Sequence, residues 1–565
     1  MRFLILFNLW FAFALGAAAA TFYVDFAAGA DANAGTSTGA AFKHCPGDPK
    51  ATSTAASTTL SAGDTVLFKG GITYLLTADY VSWPTAGIAL SWSGTAGNPI
   101  TYDGNSAGTW GTGKPIITDN HGTNRLAAFY TATLRSNVVV RNFIIQEIGG
   151  SATPPPDLGS AVAPNQGGGV GFGGGARNCT VQDCEFYELG YYWNVKPMDD
   201  NALWGVGVEF SDSRDCVLTN CDFKKMGWGF YAKATTLLTN LTIANCRMSE
   251  SIKWRLDLNN ASGGATGGIT ITNCDLFNCG EFGDGTWSGY GPWPHMDGIF
   301  LRSDNSTAYY STNADATGIN FCGNRFWDTN QVTANGTAVI YLAGGTSANI
   351  WNNTFVHTVK TRTVFIAGAR GAPHTPQVAR IYNNTFLQRY EKAIGVSQTI
   401  PMHTLDIRNN VFVDVENGSG ANTLLHFEVA DVATNLTVDY NFYCSSNTSG
   451  DYVVWTGVGT GGITMLQANG QEAHGLASST PKLADISYGT GPQCNLNDLR
   501  LASNSPAIGA GLAFNSFFTG DKNGVTRGAV WDMGAFEYAA GAPPGGATNV
   551  LNVGTVNAGT LRLGP

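Results

Sequence analysis

The sequence predicts an all-β solenoid, a parallel β-helix of about ten coils. Three observations predict it: a phrase that recurs ten times, an asparagine at one fixed place in that phrase, and a composition rich in glycine and poor in charge. The phrase reads inward apolar, any residue, inward apolar, any residue, Asn or Asp, a small or polar residue, then a further apolar pair. It is legible at 137–145, 178–186, 215–223, 240–248, 268–277, 318–326, 348–355, 379–386, 405–412 and 436–442. Such a unit cannot bury its apolar face alone, so stacked copies must cover one another.

Aligned copies give two columns. The first is Asn142, Asp183, Asn220, Asn245, Asn273, Gly323, Asn352, Asn383, Asn409 and Tyr440. The second is Phe143, Cys184, Cys221, Cys246, Cys274, Asn324, Asn353, Asn384, Asn410 and Asn441. The shortest steps in the first column are 25 residues (220 to 245) and 26 (383 to 409), enough for three short strands and three turns. Coils in register lie ~4.8 Å apart, so like side chains stack and each amide can donate to the next. Asn also tolerates the left-handed conformation that a tight turn requires. One interior column is expected from Val181, Leu218, Ile243, Ile271, Phe321, Ile350, Ile381, Ile407 and Val438.

Glycine at 72 of 565 residues and charged residues at 13% suit many tight turns and few long helices. The net charge of −10 argues against nucleic acid as a partner, while leaving room for a local basic patch. The 11 cysteines read mainly as buried thiols filling core positions. Cys179 and Cys216 stack in adjacent coils, near enough for a disulfide, and the CxxxxC spacings follow from strand alternation rather than from zinc.

The N-terminus carries Arg2, an apolar run from Phe3 to Leu15 and small residues at Ala18 and Ala20. Residues 1–20 therefore read as a signal peptide, and the protein as secreted, extracellular or periplasmic. No later run is long enough to span a membrane. At the other end, GAPPGG (541–546) reads as a linker within a linker and tail of 539–565.

The Asn-column phrase resembles that of the pectate-lyase-like superfamily of right-handed parallel β-helices, a secreted, carbohydrate-active group. YVDFAAGADANAGT (23–36) and AGDTVLFKGGITY (62–74) look like its opening segment, and NSPAIGAG (504–511) and RGAVWDMGAFEY (527–538) like its closing segment. The resemblance covers roughly 21–538, with an opening segment at 21–75, regular coils at 137–445 and a closing segment at 500–538. It is specific for fold and weak for reaction, because the superfamily holds lyases, hydrolases, epimerases, adhesins and tailspikes.

In that superfamily the phrase covers the second strand, the Asn turn and the third strand. Polysaccharide usually binds the outer face of the first strand, here GVGVEF (205–210), GFYAKA (229–234), KWRLDL (253–258) and GIFLRS (298–303). Alternation turns Val206/Val208, Phe230/Ala232, Trp254/Leu256 and Ile299/Leu301 inward. The outward column is then Glu209, Lys233, Asp257 and Arg302, beside Gly207, Tyr231, Arg255 and Phe300, with Lys253 next to Arg255. The longest steps in the Asn column, 41 (142 to 183), 37 (183 to 220) and 50 (273 to 323), set long loops around this face. They bring Trp193, Trp204, Trp287 and Trp293, which with Tyr231 are candidate sugar-stacking residues; Tyr191, Tyr192 and Tyr290 lie in the same loops.

Three functions are compatible with this face. A lyase acting on a uronic-acid polysaccharide must neutralise the carboxylate, remove the C5 proton and protonate the leaving oxygen. Lys253, Arg255, Arg302, Lys233, His295 and Asp297 are its candidate catalytic residues, with Lys253 as base, its pKa lowered by like charge. Asp199, Asp200, Glu209 and Asp257 are candidate oxygen ligands for Ca²⁺, and no organic cofactor is expected. A glycoside hydrolase of the polygalacturonase-like type would instead pair two carboxylates, from Asp199, Asp200, Glu209, Asp257, Glu281, Asp284 and Asp297. The third reading is a carbohydrate-binding adhesin or tailspike-like protein. The sequence leaves the sugar and the oligomeric state open.

Overall fold

A computed structural model describes residues 19–76, 85–120, 126–149, 167–190, 205–259, 265–277, 298–302, 316–328, 338–343, 346–357, 362–368, 377–388, 392–398, 401–414, 423–445, 450–486 and 499–539. Its core is a stack of short strands. Thirteen of them, one per coil, pair in chain order in one sheet that begins at Thr21–Val24, Thr65–Phe68, Ile100–Asp103 and Val138–Arg141 and ends at Ala433–Asp439. The ten repeat phrases supply the last ten, and three coils precede them. Among the described strands every pairing is parallel except the hairpin of Val453–Trp455 with Gly459–Gly461.

The expected interior column forms without a break. Val181 pairs with Leu218, then Ile243, Ile271, Phe321, Ile350, Ile381, Ile407 and Val438 in successive coils. All are buried. Branched and aromatic side chains suit these sites because they pack well on a pleated surface and each is covered above and below.

Every member of the first Asn column has a positive φ, from 49° at Asn383 to 68° at Gly323. The turn therefore demands a left-handed residue, which explains the Asn, Asp and Gly found there. The second column points inward and hydrogen-bonds along the stack. Asn324 donates both its backbone N–H and its amide to Asn353 Oδ1, and Asn353, Asn384 and Asn410 repeat this toward Asn384, Asn410 and Asn441. Each amide also donates to a carbonyl of the preceding coil, such as Asn384 to Ile350. Below Asn324 the same place is held by Cys274, Cys246, Cys221 and Cys184, buried thiols whose sulfurs donate to nearby carbonyls. Cys179 and Cys216 are both free thiols in contact with one another.

The other two strand sets merge into one 24-stranded sheet. They merge because Asp222–Lys233 and Arg247–Asn259 each run from the third-strand face into the first-strand face without a turn. The register between these two strands shifts once: Met226 pairs with Ser251, but Trp228 with Trp254. Two residues, Ile252 and Lys253, thus oppose the single Gly227. This is a β-bulge, a device that bends a strand and re-aims its side chains.

The chain after residue 499 folds back along the Asn turns. Arg527 donates to Asn352 Oδ1 and to the carbonyls of Asp532 and Gly534. Lys522 bonds the Gly323 carbonyl, and Asn383 and Asn409 donate to carbonyls of Asp532 and Leu512. Phe514 stacks on Tyr382 with ring centres 4.3 Å apart. The closing segment therefore clamps coils more than a hundred residues away. No helix among the described residues is long and apolar enough to cross a membrane.

Candidate functional site

The outer face of the first-strand set carries two parallel columns. One runs Tyr130, Gly171, Glu209, Tyr231, Asp257, Phe300, Tyr341, Phe365, Gly395 and His426. Its neighbour runs Ser211, Lys233, Asn259, Arg302, Ala343, Ala367 and Ser397. The expected column of Glu209, Lys233, Asp257 and Arg302 is therefore corrected: Glu209 and Asp257 share one column, Lys233 and Arg302 the other. Each step had slipped by two residues, which keeps those four residues on the expected face because the period is two. The expectation fails earlier in the strand: Gly207, expected outward, faces the Phe223 ring of the interior, and Val206, expected inward with Trp254, packs with Trp228, Tyr231 and Ala343 instead. Val208, Phe230, Leu256 and Ile299 do line the interior together.

Around Glu209 the geometry is well defined. Gly171 lies directly beneath it, and a Cβ there would stand 2.6 Å from the Tyr130 ring and 3.7 Å from Glu209 Oε2. The absence of a side chain at Gly171 and Gly173 lets the Tyr130 ring lie across the face. Ser211 donates to Glu209 Oε1 at 2.7 Å. Burial pushes the Glu209 carboxyl up, with the Ser211 bond and the Lys233 charge opposing. Burial, and then the nearby Glu209 charge, push the Tyr130 hydroxyl up to about 12. The Trp228 and Tyr231 rings lie 6.1 Å apart beside Val206. Asp257 is outward by register yet wholly buried, which alternation alone does not predict.

Of the expected catalytic residues, Lys233 lies on this face, half-buried. Lys253, Arg255 and Arg302 occupy the expected strands by backbone, and their side chains lie outside the described set. His295, Asp297, Trp193, Trp204, Trp287, Trp293, Asp199 and Asp200 also lie outside the described residues. Among the described residues no three His, Cys, Asp or Glu side chains gather as a metal site. Glu209 and Asp257 are two strand spacings apart, ~9.6 Å, with Tyr231 between them. Glu209 is already engaged by Ser211. The pair does not by itself fit Ca²⁺, and no step below uses a metal.

A second polar group on the same face was not anticipated. Glu428 accepts from Lys392 Nζ at 3.0 Å and from Arg362 at 3.2 Å. Burial opposes its ionisation, but the hydrogen bond and charge of Lys392, then Ser397 and Arg362, hold its pKa below the usual carboxylate value. The Arg362 guanidinium lies 4.2 Å from the centre of the Phe365 ring, which stacks on Tyr341 at 5.3 Å. A hollow at Gly395 admits this arrangement, since a Cβ there would meet Phe365 at 3.1 Å and Arg362 at 3.5 Å. The outward glycine was the signal available in the sequence.

The fold and this face define a right-handed parallel β-helix. Residues 168–355 match the family described as right handed beta helix region. Among solved structures, a pectate lyase, Pel9A, aligns at 15% identity over 92% of this chain and 98% of that one, with a TM-score of 0.44. A lacto-N-biosidase from Eubacterium ramulus aligns at 13% identity over 75% and 63%, with a TM-score of 0.44. The surface protein and adhesin PfbA of Streptococcus pneumoniae aligns at 12% identity over 69% and 91%, with a TM-score of 0.36. The likeness is one of fold. No match was found among curated protein sequences.

Proposed function

We propose that the protein is a secreted enzyme that binds a uronic-acid polysaccharide along the outer first-strand face and cleaves it by β-elimination. The observation that carries this is the alignment of Lys233 and Arg302 in one register column, with Asn259 between them, beside the column of Glu209 and the Tyr130 ring. Cations and aromatic rings along one strip suit an anionic sugar chain. Lys233 and Arg302 neutralise the substrate carboxylate, which makes the C5 proton removable. Lys253, at the bulge, takes that proton. The C5 electron pair forms the new double bond as the bond to the leaving oxygen breaks, and that oxygen takes a proton. Asp297 and His295 are candidates to supply it.

The test is incubation with a panel of uronate polymers, read by the absorbance of unsaturated ends. Appearance of that absorbance supports the lyase. One observation favours hydrolysis as the second reading: burial raises the pKa of the Glu209 carboxyl, the direction a general acid needs. New reducing ends without unsaturation would replace the lyase by a hydrolase. Retention of a polymer with no cleavage would replace both by a binding protein.

A further inference from the structure

We infer that Arg362, Lys392 and His426 form a second, anion-selective subsite on the first-strand face, remote from the proposed cleavage point, which grips the acidic groups of a long polysaccharide. The inference deepens the reading above and relies on it only for the face on which the chain lies.

The group is built as a donor cluster. Two cations share one carboxylate, Glu428, leaving one positive charge in surplus. His426 Nδ1 and Arg362 Nε are buried atoms with no hydrogen-bond partner among the described residues. A buried Nδ1 with no acceptor disfavours the doubly protonated ring. Burial, and then the Lys392 charge, accordingly lower the His426 pKa. The neutral ring favours its proton on Nε2, because a proton on Nδ1 would be an orphaned buried donor. The cluster therefore offers cationic and neutral donors; its carboxylate is engaged by both cations, and its other acceptor, His426 Nδ1, is buried. Donors in surplus recognise carboxylate or sulfate oxygens. The stacked rings of Phe365 and Tyr341 lie alongside.

Distance gives the inference its consequence. Six strand spacings separate the coil of Lys233 from that of His426, which is ~29 Å at ~4.8 Å each. The nearest members, Arg302 and Arg362, lie on coils two spacings apart, so a short oligosaccharide touches at most the near edge of each group. Only a longer chain engages Lys233 and the Lys392–His426 pair together, so affinity must rise with chain length.

The experiment measures the affinity of the full chain, in the cold, for oligogalacturonates and oligomannuronates of increasing length, with neutral xylo-oligomers as controls. For an acidic series the expected result is a step of about tenfold or more once the oligomer spans both groups, the size expected of one or two charge-assisted hydrogen bonds. Neutral oligomers should show no step. Lys392→Gln and Arg362→Gln should abolish the step and leave short-oligomer affinity unchanged. Glu428→Gln frees both cations and should enlarge the step, a gain that a misfolded protein cannot give. An unchanged step in the Lys392→Gln and Arg362→Gln proteins, an equal step with neutral oligomers, or no acidic oligomer bound would overturn the inference. Cleavage without a length step would sink this subsite and leave the lyase standing. A length step without cleavage would do the reverse.

Discussion

The side-chain amide of Asn441 donates to Glu472 Oε1 at 2.7 Å, so the asparagine ladder ends on an acid rather than on another amide. Tyr443 donates to the same oxygen at 2.6 Å. Glu472 is buried, and that burial raises its pKa from 4.5 to about 7. The folded acid thus holds its proton to about pH 7, the unfolded acid only to about 4.5. Its contribution to stability is complete below the lower value and is lost as pH rises through the higher one. A shift of this size corresponds to roughly 3–3.5 kcal/mol. Glu472→Gln, which mimics the protonated acid, should remove that dependence and melt above the parent at pH 8 and close to it at pH 4. Parallel melting curves at both pH values would show that Glu472 does not titrate in this window.

The ladder itself predicts a large effect from one interior rung. In Asn384→Ala the backbone N–H and amide of Asn353 lose their shared acceptor, and the Ile350 carbonyl and Asn410 Oδ1 lose a donor. Each buried group left unpaired costs about 1–3 kcal/mol. Asn384→Ala should therefore lower the melting temperature far more than Asn435→Ala, whose amide makes one exposed bond. Equal melting temperatures for the two variants would mean that the ladder contributes little.

The fold was legible because the repeat states it twice, once as the alternation of apolar residues and once as the left-handed turn that admits Asn, Asp or Gly. Inward and outward faces were legible for the same reason along the repeat phrase, but not at the start of the first strand, where Val206 and Gly207 exchange the expected faces. Columns were not legible: a slip of two residues preserves the face, and the strands Asp222–Lys233 and Arg247–Asn259 contain no turn to anchor the count. The bulge at Ile252–Lys253 leaves no mark in the composition. The Arg362–Lys392–Glu428 group escaped because its members lie on three coils and converge only over the hollow at Gly395.

The closing segment should behave as a clamp. The Arg527 side chain is fully buried and is paired with Glu537 as well as with Asn352. Removing one partner of a buried ion pair costs about 3–5 kcal/mol. Arg527→Ala should release the segment to proteolysis before the coils melt, giving a two-stage loss in limited digestion. A variant as protease-resistant as the parent would show that the segment is held by its aromatic contacts to Trp351 and Tyr382 instead.

The last prediction concerns Lys253. It lies at the point where two residues of its strand oppose the single Gly227, one strand spacing from the strand that carries Lys233. Bulges re-aim side chains, so a residue there is poorly placed to serve as a ladder partner and well placed to serve a ligand. If Lys253 is the base, Lys253→Ala should abolish turnover of a uronate polymer. It should shift the melting temperature by little, since a base that serves the substrate is not needed to hold the coil. Lys253→Arg keeps the charge but raises its pKa, so it should retain polymer affinity and lose the rate. The acid limb of the parent's pH–rate profile should report the ionisation of that base. Full turnover by Lys253→Ala would end this assignment. A variant that loses stability but keeps its rate would instead make Lys253 a structural partner of the charged strip, and Asp297 and Asp200 would then be the next residues to replace.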